Sequence, residues 1–219
     1  MNIPKTNLQP TQEKINQKRE EIYKATNELI LSNKEFENTK LTYDDKKLLF
    51  TIDFTSVKTT EDELLIIDLD NVRRALRFSY DFLENVEIIL GNTQMLNARW
   101  WMSKLKVRCL DYCHIFVGDE CSVIAGNDNS ITLGGECSLE CKHNNIIKTG
   151  VLCNLKIGNN NNVEYLDLES SLIGGDNNKV HLALADDNVN EMQNSYKQVE
   201  IKLGLGSKIT TVCHNIIIE

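Results

Sequence analysis

The chain has 219 residues, 41% of them apolar, and a formal net charge of −8. That length and apolar content suffice for one large domain or two small ones and argue against disorder throughout. From Leu105 onward nine Lys/Arg face fifteen Asp/Glu, a balance of −6, so this half should repel phosphate backbones while leaving room for basic partners.

The sequence opens Met-Asn-Ile-Pro-Lys without an apolar leader core and holds no run near the ~20 apolar residues of a membrane span. A soluble, unsecreted protein with no membrane contact is therefore expected. Seven cysteines, an odd number set mostly in apolar patterns, point to reduced, buried thiols and a cytoplasmic location.

The first expected element is an amphipathic helix within residues 1–40, from about Pro10 to Phe36. Leu8, Ile15, Ile22, Leu29 and Phe36 recur every seven residues, and Ile15, Ile22, Leu29 and Phe36 are its candidate interface. The companion positions are largely polar. Two readings stay open: a coiled-coil seam for self-association, or a helix laid against its own chain. Residues 33–45 are polar and mark a boundary.

Residues 41–104 form a less regular α/β segment, a cap or the early coils of a repeat array. "LLFTIDF" and "ELLIIDLD" read as strands, and "DNVRRALRFSYDFL" fits a short helix better. "ENVEIILGN" (84–92) already resembles "NNVEYLDLE" (161–169). Repeats therefore begin before their clean form.

The clean form starts at Leu105 in units of eight. The third position is Val107, Ile115, Val123, Ile131, Leu139, Ile147, Leu155 and Val163, the fifth is mostly apolar, and glycine fills the sixth in five of eight units. Two inward side chains followed by glycine and polar residues describe a short strand and a bend. Alternate units differ: Cys121, Cys137 and Cys153 make one column, and Asn129, Asn145, Asn161 and Asn178 another. The period is thus about 16. Two strands and two unlike corners per turn predict a mainly β, two-sided parallel β-solenoid over 105–219, with coils ~4.8 Å apart and sheets ~10 Å apart. A three-sided coil of twenty-four would mix the columns and ranks second. An excursion at about 186–198 interrupts the pattern. Asparagine is expected to stack along the axis and to supply the left-handed corner residue; cysteine is the small, buried choice at the other corner.

This frame constrains the chemistry available. Cys109 with Cys113, and Cys137 with Cys141 and His143, invite a metal site, but residues four apart on a strand lie ~13 Å apart, too far to share one zinc. No metal, cofactor or catalytic set is expected: the four histidines fall in no recognised motif and no phosphate-binding loop is present. Candidate partner-binding residues are the acidic Asp119, Glu120, Asp128 and Glu136 and the outward apolar Phe116, Ile124 and Ile146.

The octad and sixteen-residue pattern over 105–214 resembles that of parallel β-helix and β-solenoid repeat proteins, among them virion fibres, cytoskeletal filament formers and repeat-built inhibitors. The resemblance implies architecture and transfers no functional residue. Three functions are compatible with it. A non-enzymatic interaction or assembly protein, acting in a host cytoplasm if viral, binds a protein partner or forms a homo-oligomer through the first helix. An acidic inhibitor blocks a basic nucleic-acid-binding partner without itself binding nucleic acid. A β-helix enzyme acts on glycans through clustered carboxylates such as Glu120 and Glu136.

Overall fold

The computed structural model describes residues 38–44, 49–57, 65–68, 86–98, 104–166, 169–182 and 200–211. The expected helix with Ile15, Ile22, Leu29 and Phe36, the arginine-bearing stretch near 70–83, the excursion at 186–198, Cys213 and His214 lie outside these residues.

The described residues begin with β1 (Lys40–Asp44), β2 (Leu49–Asp53), β3 (Leu65–Asp68), β4 (Val86–Leu90) and β5 (Gln94–Ala98). The regular coils continue as β6 (Lys106–Cys109), β7 (His114–Val117), β8 (Ser122–Ala125), β9 (Ser130–Thr132), β10 (Ser138–Cys141), β11 (Ile146–Lys148), β12 (Asn154–Ile157) and β13 (Asn162–Leu166). The last elements are β14 (Ser171–Gly174), β15 (Lys179–Leu182), β16 (Glu200–Lys202) and β17 (Lys208–Thr211).

Successive strands alternate between two sheets. Sheet I runs β1-β2-β4-β6-β8-β10-β12-β14-β16, and sheet II runs β3-β5-β7-β9-β11-β13-β15-β17. Among the described strands every pairing is parallel except β1 on β2, so the fold is a parallel β-solenoid with an antiparallel strand at one edge. The strands expected at "LLFTIDF" and "ELLIIDLD" are β2 and β3, and β4 pairs with β6 as the likeness of "ENVEIILGN" to a coil implied.

Register fixes the coil. Lys106 pairs with Ser122, Ser122 with Ser138 and Ser138 with Asn154, sixteen residues each; Asn154 then pairs with Ser171, seventeen on. From β6 to β14 the turn is thus sixteen to seventeen residues, against nineteen from Glu87 to Lys106. From Ser171 to Glu200 the step is twenty-nine, because the chain outside the described residues intervenes.

Strand alternation sends one set of side chains inward. Val107, Val123, Leu139, Leu155 and Leu172 stack on sheet I, and Ile115, Ile131, Ile147, Val163 and Val180 on sheet II, all buried. Each such side chain contributes roughly 1.5–3 kcal/mol by leaving water. The core is therefore a column between sheets, and it leaves two broad outer faces for other work.

Candidate interaction surface

The corners make the outer faces rigid. At the asparagine corner, Asn129, Asn145, Asn161 and Asn178 turn inward and are buried. The Cys113 N–H donates to Asn129 Oδ1 at 2.7 Å, Asn129 N–H to Asn145 Oδ1 at 2.8 Å, Asn145 N–H to Asn161 Oδ1 at 2.8 Å and Asn161 N–H to Asn178 Oδ1 at 2.7 Å. A second ladder runs outside the first in the opposite sense. Asn127 N–H donates to Asp111 Oδ1 at 2.6 Å, His143 N–H to Asn127 Oδ1 at 3.2 Å, and Asn159 N–H to His143 Nδ1 at 2.9 Å. His143 thus accepts through Nδ1 in a structural ladder.

The expectation that column asparagines take the left-handed conformation is overturned. Positive φ falls one residue earlier, at Glu120, Asp128, Glu136, Asn144, Leu152, Asn160 and Asn177. The reason is geometric: the column side chain must point into the corner, and the residue before it makes the reversal. Glycine has a different task here. A Cβ on Gly150 would lie 2.6 Å from the Gly134 carbonyl carbon, and one on Gly134 2.6 Å from that of Gly118. Close approach of neighbouring coils, with no positive φ at these positions, demands the missing side chain.

At the other corner Cys121, Cys137 and Cys153 stack as expected, buried and outside any disulfide. Cys121 N–H donates to Cys137 Sγ at 3.3 Å, and the Cys137 and Cys153 thiols donate to Gly118 O at 3.2 Å and Gly134 O at 3.3 Å. The Cys137 thiol is pushed up to about 12, first by its hydrogen bond with Cys121 and then by burial. Burial pushes Cys141 up to about 12. Cys109 and Cys113, expected to lie along one strand, instead flank a corner: Cys109 ends β6 and Cys113 immediately precedes β7. Among the described residues no three His, Cys, Asp or Glu side chains converge on one metal position.

The acidic candidates divide. Asp119, Glu120 and Glu136 share the cysteine corner, whereas Asp128 sits at the asparagine corner on the far edge of the coil. Asp119 Oδ1 accepts the Gly135 N–H at 2.7 Å, so its carboxylate already serves the corner. Glu120 lies 3.9 Å from Lys104 Nζ and remains largely exposed.

The apolar candidates also divide. Phe116 is half-buried on the outer face of sheet II, which also carries the exposed Ile146; Ile124 projects from sheet I. Sequence reasoning missed Ile173, which register places in the same outward column as Ile124: Arg108, Ile124, Glu140, Lys156, Ile173 and Lys202. Ile124 and Ile173 are 49% and 55% exposed, and between them Lys156 Nζ meets Glu140 Oε1 at 3.0 Å. Leu110 and Tyr112, exposed at the asparagine corner, were missed as well. Leu110 was legible as a large apolar residue in a position that glycine otherwise favours; Ile173 was hidden by the one-residue slip before it.

Comparison with models of protein families, with curated proteins and with solved structures gave no match. The functional reading therefore stands on this geometry alone.

Proposed function

We propose that the protein is a non-enzymatic interaction or assembly protein whose solenoid presents a rigid surface to a protein partner, and that sheet I supplies that surface. The observation that carries this reading is the outward column in which two exposed isoleucines flank an ion pair, on strands held in register by two opposed side-chain ladders. Such a mixed apolar and charged face suits a protein surface better than a phosphate backbone, and its rigidity lowers the ordering cost of binding. The first helix, with Ile15, Ile22, Leu29 and Phe36, is a proposed second element, for docking or self-association. The buried free thiols suit a reducing cytoplasm, that of the host if the protein is viral.

The test is Ile124→Asp combined with Ile173→Asp, read by sedimentation velocity and by retention of a captured partner. Both sites face water, so the fold should be unchanged within ~0.5 kcal/mol while assembly or capture falls at least tenfold. Unchanged mass and capture would remove sheet I from the account. Deleting residues 1–38 tests the helix by the same two readouts.

A second reading, an acidic inhibitor of a basic nucleic-acid-binding partner, draws on Asp119, Glu120 and Glu136 at one corner. It requires binding that weakens steeply with salt, since the Debye length at 0.15 M is only ~8 Å. Glu120→Lys with Glu136→Lys should then slow association. Indifference to salt and to this reversal would discard it.

A further inference from the structure

β1 (Lys40–Asp44, KLTYD) ends sheet I on the side from which the coils start, and no described strand pairs with its outer edge. An open edge of this kind offers a row of backbone donors and acceptors to a further strand unless something covers it or breaks it up. Nothing within β1 breaks it up. The strand holds no proline or glycine and pairs with β2 through all its residues without a bulge.

The sequence of β1 is complementary to itself. Set antiparallel about Thr42, Lys40 stands opposite Asp44, Leu41 opposite Tyr43, and Thr42 opposite Thr42 of a second copy. Backbone parity is kept as well. Alternate residues of a strand turn their N–H and C=O groups to the same edge, and here even-numbered residues meet even-numbered ones and odd meet odd. Whichever set β1 turns outward therefore meets the same set on the second copy, donors facing acceptors. Lys40 and Thr42 are exposed and Asp44 is half-buried, all at alternate positions of one face. Continued through the register with β2, one row reads Asp53, Lys40, Asp44, Leu49, and the central row reads Thr51, Thr42, Thr42, Thr51. Opposite charges and paired threonines directly across antiparallel strands stabilise such a junction.

We infer that two copies of this chain join edge to edge through β1, antiparallel about a twofold axis at Thr42, so that two nine-stranded sheets become one. A second copy is the fitting occupant because a twofold contact demands self-complementarity, and β1 has it in both charge and backbone. The other open edges have less of it. β16 (Glu200–Lys202) is three residues long, and its charges already meet each other, Lys202 Nζ to Glu200 Oε1 at 2.6 Å. β3 reads Leu-Ile-Ile-Asp and holds no cation to face Asp68. This dimer is one form of the proposed assembly and rests on that reading, but it uses an edge separate from the column of Ile124 and Ile173.

The experiment uses the full-length protein. Sedimentation velocity should give twice the 25.0 kDa of one chain. Asp44→Lys sets like charges opposite each other at both ends of the junction and should weaken the dimer at least tenfold. Thr42→Cys reads the register itself, because directly opposed Cα atoms lie ~4.5–5.5 Å apart, within the ~4.4–6.8 Å that a disulfide spans. Mild oxidation should link Thr42→Cys into a covalent dimer. Lys40→Cys, displaced ~13 Å along the strand from its own mate, should stay unlinked, as should the parent. Ile124→Asp with Ile173→Asp should leave the link at position 42 in place, so the edge and the sheet face stand or fall separately. A dimer indifferent to Asp44→Lys, or equal linking at positions 40 and 42, would overturn the inference. A monomer with no link at either position would also overturn it and leave the edge to residues 1–37 of the same chain.

Discussion

Replacing Asn145 by alanine tests the corner ladder where it is most connected. The side chain accepts the Asn129 N–H at 2.8 Å and donates from Nδ2 to Gly126 O at 3.2 Å, His143 O at 3.1 Å and Asn161 Oδ1 at 3.0 Å. Asn145→Ala orphans the buried Asn129 N–H outright, at about 1–3 kcal/mol. Asn161 Oδ1 keeps the Asn145 N–H, so its loss is small. The emptied corner adds a packing cost, and the sum is about 2–4 kcal/mol. At about 2–4 °C per kcal/mol for a chain of this size, thermal unfolding followed by circular dichroism should fall by several degrees or more. Asn145→Asp keeps an acceptor for Asn129 but replaces three donor contacts by a buried anion facing carbonyl oxygens. It should be worse than alanine at pH 7 and recover partly on acidification, because the neutral acid regains a donor. An alanine variant within ~0.5 kcal/mol of the parent would refute the reasoning.

Other expected outcomes rest on the same geometry. Gly134→Ala should destabilise by about 1–3 kcal/mol in urea titrations, because its Cβ meets Gly118 backbone that cannot yield. Leu152→Asn should stabilise by up to ~1 kcal/mol, since Leu152 sits exposed at φ +57° where asparagine is better tolerated; no gain would mean that Leu152 packs against something further. His143→Asn should leave the melting temperature nearly unchanged, as Asn127 and Asn159 fill the same ladder in neighbouring coils, whereas His143→Ala should lower it.

The inner columns were legible because burial imposes a simple rule on composition: no polar residue interrupts Val107 to Val163 at every eighth position. Cysteine and asparagine columns were legible for the same reason, and they set a two-sided coil. What glycine does was not legible, since a bare count of glycines cannot separate a positive φ from a close approach, and the latter operates at Gly134 and Gly150. Cys109 and Cys113 were misplaced because strand spacing was applied across a corner. The outward column was only half visible: Ile124 stands in the regular repeat, but Ile173 comes after the slip that lengthens one turn to seventeen. The acidic residues were grouped by nearness in sequence, which put Asp128 with side chains on the opposite edge.

The two-sided coil and its register underlie every assignment made for the surface, and methyl-to-methyl nuclear Overhauser contacts in selectively labelled protein test them most directly. The account predicts strong contacts for Val123 with Leu139 and Leu139 with Leu155, and for Ile131 with Ile147 and Ile147 with Val163, because these pairs are register neighbours. Contacts dominated instead by pairs twenty-four residues apart, such as Val123 with Ile147, would show a three-sided coil and contradict the account.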